Sequence, residues 1–197
     1  MNIKSLMIKN KEITIISNNC FAGMFYKHYG LRFNSPTIGL FIRSQEYIKF
    51  LQYLPEILEG GYILTEKQTD VKWPVGNIHT GRSNVDIEIN FMHYTSFEEA
   101  ARKWNYRLKR VDLKRLIIFF MQTPFFSQKD LDVFKTITYG TKVFAYDSAV
   151  LGEVALENVI VKKTNAFHWK PDFTWDFRVM LKDTEFKQIV NEMKSKE

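Results

Sequence analysis

The stretch Ile15-Ile16-Ser17-Asn18-Asn19-Cys20-Phe21-Ala22-Gly23 decides how this chain begins to fold. Residues 12–17 have the apolar character of a short strand. After Cys20, residues recur at helical spacing in the order Phe21, Met24, Phe25, His28 and Tyr29. The stretch therefore predicts a strand-to-helix turn, with Cys20 in the first turn of the helix.

Cys20 is the single cysteine among 197 residues, and its predicted position suits a nucleophile. The first turn of a helix offers unpaired N–H groups and the positive end of the macrodipole, which lower the pKa of a thiol. Ser17 precedes it, and Asn18 and Asn19 add side-chain donors for a developing oxyanion. The alternative interpretation is that Cys20 is a small buried hydrophobe.

The composition is that of one globular domain over residues 1–197, with 45% hydrophobic and 25% charged residues. A single cysteine excludes an intrachain disulfide and favours a reducing compartment. Residues 1–9 lack the apolar core of a signal peptide, and no apolar run is long enough to span a bilayer. We therefore expect a cytoplasmic protein without a transmembrane segment. Peripheral association with the inner face of the membrane stays open, as does the oligomeric state.

A net charge of +6 favours anionic partners, namely an anionic small molecule or a sugar substrate. The clearest group of cations follows Glu98 and Glu99 on a predicted helix. Their spacing predicts two i,i+4 ion pairs, Glu98–Arg102 and Glu99–Lys103. Arg107 and Arg110 are left as candidate anion contacts. No nucleic-acid module is recognisable around this group, so nucleic acid is not an expected partner. No metal-binding pattern is present, so no metal is expected.

Strands alternate with helices along the chain, which predicts an α/β fold: a three-layer sandwich with a mainly parallel, Rossmann-like sheet. The unbroken apolar run at residues 116–121 indicates a central strand covered on both faces. Residues 85–93 alternate between apolar and polar and predict a strand that ends at His93. Residues 61–81 read as irregular. Further strands are predicted near residues 37–42, 143–146, 158–161 and 175–181, and helices at 44–58, 96–108, 127–137 and 186–193.

In parallel sheets, ligands bind beyond the carboxyl ends of the strands. The residues predicted at those ends are polar or reactive, and this gathering suggests a site. They are Ser17-Asn18-Asn19-Cys20, Arg43-Ser44, His93-Tyr94, Gln122-Thr123 and Asp147-Ser148.

The sharpest hypothesis for this edge is a catalytic group of Cys20, His93 and Asp147. A thiol nucleophile needs a base within hydrogen-bond reach, and the base needs a third group to orient it. The alternative for His93 is a satisfied histidine at a strand end, and the alternative for Asp147 is a turn or cap residue; both stay open. The candidate substrate-binding residues are Ser17, Asn18, Asn19, Arg43, Tyr94 and Arg107.

Four segments carry a resemblance to a known family: residues 16–23, 34–37, 86–94 and 100–107. Over residues 12–148 the chain resembles a bacterial domain-of-unknown-function family labelled exopolysaccharide or capsular polysaccharide biosynthesis protein. Its marks are a Ser-Asn-Asn-Cys motif and a later Phe-x-His-Tyr motif. The family commonly has Trp and then Gly-Gly after the cysteine, where this chain has Phe21 and Ala22-Gly23.

More distantly, Asn19-Cys20 is similar to the Gly-Asn-Cys motif of capsule-modifying acyltransferase-like proteins, with Asn18 in place of the glycine. That similarity implies an SGNH-hydrolase-like sheet as the alternative architecture, and a Cys–His pair.

Together these features predict an enzyme of surface polysaccharide synthesis, a Cys–His acyltransferase or esterase acting on a sugar. Cys20 would attack the acyl carbonyl and His93 would shuttle the proton. No bound cofactor is expected, and acyl-coenzyme A is the candidate donor. The rival hypothesis is a non-catalytic sugar- or nucleotide-binding accessory protein in which Cys20 is merely buried.

Overall fold

A computed structural model describes residues 8–123, 125–147, 151–164 and 178–193. Its main sheet has four parallel strands, and their order across the sheet follows their order along the chain. These strands are β1 (Thr14–Ser17), β5 (Leu116–Met121), β6 (Thr141–Asp147) and β7 (Ile160–Thr164). Within the described strands the order never reverses, so the sheet lacks the switch point that marks the ligand crevice of doubly wound folds.

A second sheet, here called the inserted sheet, has three antiparallel strands, and its residues lie between β1 and β5 along the chain. They are β2 (Tyr62–Lys67), β3 (Val75–Thr80) and β4 (Asp86–Asn90). Phe41 forms an isolated bridge with Asn90 at the end of β4. This contact ties the segment before the second helix to the inserted sheet.

Helices cover both faces of the main sheet, so the architecture is an α/β sandwich. One face packs on a core formed with the first helix and the last two helices. The other face packs on a core shared with the three middle helices and the inserted sheet. The helices whose bounds the structure describes are α1 (Phe21–Tyr29), α2 (Ser44–Leu58), α3 (Phe97–Leu108), α4 (Gln128–Thr136), α5 (Arg178–Lys182) and α6 (Thr184–Glu192). Among the described helices, none has both the length and the apolar character needed to cross a bilayer.

The predicted central strand is confirmed. Every residue of β5 is fully buried, and β5 lies between β1 and β6. Alternate side chains enter opposite cores, with Ile118 and Phe120 on one face and Ile117 and Phe119 on the other. An unbroken apolar run is required because both faces of this strand exclude water.

Several predicted elements are wrong. Residues 61–81 are not irregular, since they contain β2 and β3. The predicted strand over residues 85–93 ends at Asn90 and belongs to the antiparallel sheet, because the alternating pattern cannot tell which sheet a strand joins. Residues 178–182 form a helix, whereas a strand was predicted over 175–181; residues 175–177 lie outside the described chain.

Candidate functional site

Asn18 links the carboxyl ends of β1 and β5. Its side-chain amide donates to the Met121 carbonyl at 2.8 Å, and its side-chain oxygen accepts from the Met121 N–H at 3.0 Å. Its own carbonyl accepts from the Ile42 N–H at 2.9 Å. These bonds extend the strand pairing by one residue, and Asn18 is fully buried, so its side chain serves the sheet.

The neighbouring polar residues cap helix α1. The Asn19 side-chain oxygen accepts from the Phe21 N–H at 2.9 Å, and the Ser17 hydroxyl accepts from the Ala22 N–H at 3.1 Å. The Ser17 hydroxyl also donates to the Asn19 carbonyl at 2.7 Å. Two of the helix-end N–H groups predicted to hold an oxyanion are therefore already paired inside the protein.

Cys20 lies just before the first residue of α1, partly buried. Its thiol points to the Leu40 carbonyl, with the sulfur 3.7 Å from the oxygen. Burial raises the pKa of the Cys20 thiol to about 11. This direction is opposite to that of the predicted acidic thiol, because burial disfavours the charged thiolate.

His93 is exposed and lies in a turn after β4, where its N–H donates to the Gly39 carbonyl at 3.1 Å. Gly39 has a φ of 70°, and a β-carbon placed on it would lie 3.3 Å from the His93 β-carbon. Glycine thus permits the turn and the close approach. Cys20 contacts Leu40, and His93 contacts Gly39. Both residues therefore lie against the same segment of the chain.

The other predicted residues of this edge make contacts of their own, and the Tyr94 hydroxyl reaches the Ile38 carbonyl beside Gly39. Asp147 ends β6, its N–H donates to the Gln122 side chain at 3.0 Å, and β5 separates it from β1. Arg43 is exposed, with its guanidinium carbon 5.1 Å from the centre of the Phe125 ring. Tyr94 and Arg107 contact each other. The described residues contain no group of three His, Cys, Asp or Glu side chains suited to a metal ion.

A second site lies on helix α3 and the segment after α1. It is a pocket of about 470 Å³, here called the α3 pocket. Its described lining holds no acidic side chain, and consists of Leu31, Arg32, Phe33, Arg102, Lys103, Tyr106, Arg107 and Arg110. A volume of this size is typical of small-molecule sites.

Aromatic rings and carbonyls hold the arginines of the α3 pocket in place. Arg107 donates to the Tyr94 hydroxyl at 2.7 Å, and its guanidinium carbon lies 5.1 Å from the centre of the Phe33 ring. Arg110 donates to the Phe33 carbonyl at 3.0 Å and lies 3.9 Å from the centre of the Tyr106 ring. These contacts orient the guanidinium groups without neutralising them.

The charge of the pocket is largely uncompensated. Lys103 pairs with Glu99 at 2.5 Å, as predicted. The predicted Glu98–Arg102 pair does not occur among the ion pairs of the described residues, and none of the pocket arginines appears in them. A hydrogen bond from Arg32 and the charge of Arg110 lower the pKa of Tyr106, consistent with a positive local potential.

Some residues of the α3 pocket were predicted as anion contacts, and others were not. Arg107 and Arg110 were candidate anion contacts because they lie on one helix. Arg32 and Phe33 were not identified, since roughly 70 residues separate them from α3. The one local signal was Gly30, which ends α1 in the left-handed conformation and turns the chain toward α3.

Comparison with known proteins agrees with the predicted membership in a domain-of-unknown-function family. Residues 2–162 match the family described as Domain of unknown function (DUF1919). An uncharacterized protein of Haemophilus influenzae is 32% identical over 136 residues, which is 69% of this chain. The aligned region spans 62% of the length of that relative. Because these matches cover most of the chain, the protein belongs to the DUF1919 family.

Proposed function

We propose that this protein binds an anionic sugar or nucleotide in the α3 pocket, as a non-catalytic accessory protein of surface polysaccharide synthesis. The observation that carries the proposal is the described lining of this pocket: five cations, Arg32, Arg102, Lys103, Arg107 and Arg110, and no carboxylate. Lys103 is paired with Glu99, whereas the four arginines form no ion pair among the described residues. Such arginines repel one another, and an anionic ligand relieves that repulsion.

The held geometry of the arginines supports binding further. Arg107 and Arg110 are fixed by rings and carbonyls, so less side-chain entropy is lost when a ligand binds. A guanidinium group also presents paired donors that match carboxylate or phosphate oxygens.

The place in polysaccharide synthesis rests on the resemblance of the Ser-Asn-Asn-Cys and Phe-x-His-Tyr motifs. The substrates of polysaccharide synthesis are compatible with a cationic pocket, because activated sugars carry phosphates and many surface polysaccharides contain acidic sugars. The proposal includes a cytoplasmic location, which the single cysteine favours.

Calorimetric titration with pyrophosphate at constant ionic strength tests the proposal. The double variant Arg102→Gln/Arg107→Gln is expected to weaken binding about tenfold or more, since it removes two charged donors. The matched control is Lys109→Gln/Lys114→Gln, which removes the same charge from exposed positions outside the lining. Equal losses in both double variants, or no binding by the wild type, would contradict the proposal.

A second candidate is the Cys–His acyltransferase or esterase, with acyl-coenzyme A as donor. One observation favours it: Cys20 and His93 contact the adjacent residues Leu40 and Gly39. Against it stand the raised pKa of Cys20 and the paired side chains of Asn18 and Asn19. This candidate requires rapid alkylation of folded Cys20 at neutral pH.

A further inference from the structure

The α3 pocket combines two kinds of surface. Its cations lie beside two aromatic rings that come from different parts of the chain, Phe33 after α1 and Tyr106 on α3. Arg107 lies over the Phe33 ring and Arg110 over the Tyr106 ring. A ligand that bears only negative charge would use the cations but not the rings.

Tyr106 is the most informative of these residues. It is 59% exposed although Arg110 lies 3.9 Å from its ring centre. Its ring therefore contributes little to the core, yet the guanidinium group of Arg110 supports it in the pocket. A flat, exposed ring supported by a guanidinium group is suited to stack a second flat ring.

We propose that the α3 pocket is a nucleotide site, in which Tyr106 stacks the base and the arginines of the pocket hold a diphosphate. This inference rests on the proposed function and names the ligand class within it. A terminal phosphate carries roughly two negative charges at neutral pH. The adjoining phosphate adds another, so a diphosphate matches several unpaired arginines better than a single sugar carboxylate does.

The shape of the site favours a mononucleotide over a nucleic-acid strand. The cations and rings line one pocket of about 470 Å³. Strand-binding proteins instead use an extended basic groove with successive stacking rings. Affinity for a strand also grows with its length, which gives a way to separate the two.

The experiment compares pyrophosphate, uridine diphosphate and adenosine diphosphate by calorimetric titration of the full chain at constant ionic strength. At least one nucleoside diphosphate is expected to bind about tenfold more tightly than pyrophosphate, because base stacking adds to phosphate binding. Tyr106→Ala is expected to remove this tenfold advantage when each nucleotide is compared with pyrophosphate on the same variant. Its pyrophosphate affinity is expected to fall by less than the nucleotide affinity, because the Phe33 carbonyl still holds Arg110. Tyr106→Phe keeps the ring and is expected to keep the advantage. Far-UV circular dichroism and the melting temperature check that both variants fold.

The outcomes separate this inference from the proposed function. If pyrophosphate and both nucleotides fail to bind, the proposed function fails. If pyrophosphate binds as tightly as the nucleotides, or if Tyr106→Ala leaves the advantage intact, the nucleotide inference fails while the proposed function stands. An affinity for oligouridylate that rises with strand length would also overturn the inference, in favour of nucleic-acid binding.

Discussion

The carboxyl edge around Cys20 and the α3 pocket differ in how their polar groups are satisfied. At the edge, the side chains of three residues form hydrogen bonds with the protein's own backbone: Asn18, Asn19 and Ser17. In the α3 pocket, the arginines contact rings and neutral oxygens and keep their charge. A group with free binding capacity can serve a ligand, whereas a group that is already paired serves the fold. The comparison therefore favours the α3 pocket as the binding site.

The largest expected effect tests the structural role of the edge. Asn18→Ala would leave the N–H and the carbonyl of Met121 buried without partners. Each orphaned group costs about 1–3 kcal/mol, so the free energy of unfolding should fall by about 2–6 kcal/mol. Urea unfolding followed by tryptophan fluorescence measures it.

The matched control for this experiment is Asn105→Ala. Asn105 is exposed on α3 and accepts a hydrogen bond from the Tyr62 hydroxyl at 2.5 Å. Its removal should cost about 0.5 kcal/mol, as for most exposed positions. If Asn18→Ala were no more destabilising than Asn105→Ala, the edge would not be structural and Asn18 would be available for chemistry.

The next effect concerns the reactivity of Cys20. Its pKa rises from 9.0 to about 11, so the thiolate fraction at pH 7.5 is about 100-fold lower than in the unfolded chain. Iodoacetamide should therefore alkylate the folded protein about 100-fold more slowly than the urea-unfolded protein. The rate should climb as pH rises toward 11, because deprotonation follows the raised pKa.

Mass spectrometry of timed samples gives both rates. The unfolded protein is the internal control, since it contains the same single thiol. Fast alkylation of the folded protein near pH 7 would favour the edge around Cys20 over the α3 pocket as the functional site. Cys20 would then again be a candidate nucleophile.

The smallest effect is expected where the two regions meet. Tyr94 accepts from Arg107 and donates to the Ile38 carbonyl at 2.6 Å, next to the segment that Cys20 and His93 contact. Tyr94→Phe should lower the free energy of unfolding by about 1 kcal/mol. Pyrophosphate affinity should fall by only about twofold, because Phe33 still holds Arg107.

Calorimetry with the variant and the wild type checks the affinity, and urea unfolding checks the stability. A loss of pyrophosphate binding as large as that of the Arg102→Gln/Arg107→Gln variant would mean that Tyr94 itself contacts the ligand. The two regions would then form one site.

Local sequence patterns predicted the elements in which each face is either buried or exposed along its whole length. The apolar run of β5 was predicted because water is excluded from both of its faces. The helix predicted over residues 96–108 matches α3, and the Ser96 hydroxyl caps it by accepting from the Glu99 N–H at 3.2 Å. Strand β2 was missed because it lies at a sheet edge with most residues exposed, so its sequence lacks a continuous apolar pattern. Strand β3 was missed because Gly76, Asn77 and His79 interrupt its apolar residues.

The candidate site was harder to predict, because its parts meet only through tertiary packing. The chemical types of Ser17, Asn18 and Asn19 suggested catalysis, but residue type does not reveal which donors the fold will use itself. Arg107 was identified from its helix, while its companion Phe33 comes from a distant segment whose path depends on the packing of α1.

The link through Asn18 also bears on the order in which the protein folds. Asn18 and Met121, which pair with each other, lie 103 positions apart in the chain. By contrast, β5 and β6 are joined through α4 alone, with Ile117 opposite Thr141. Closing a long loop costs chain entropy before its contacts stabilise anything. We therefore expect the unit of β5, α4 and β6 to form early and β1 to join the sheet later.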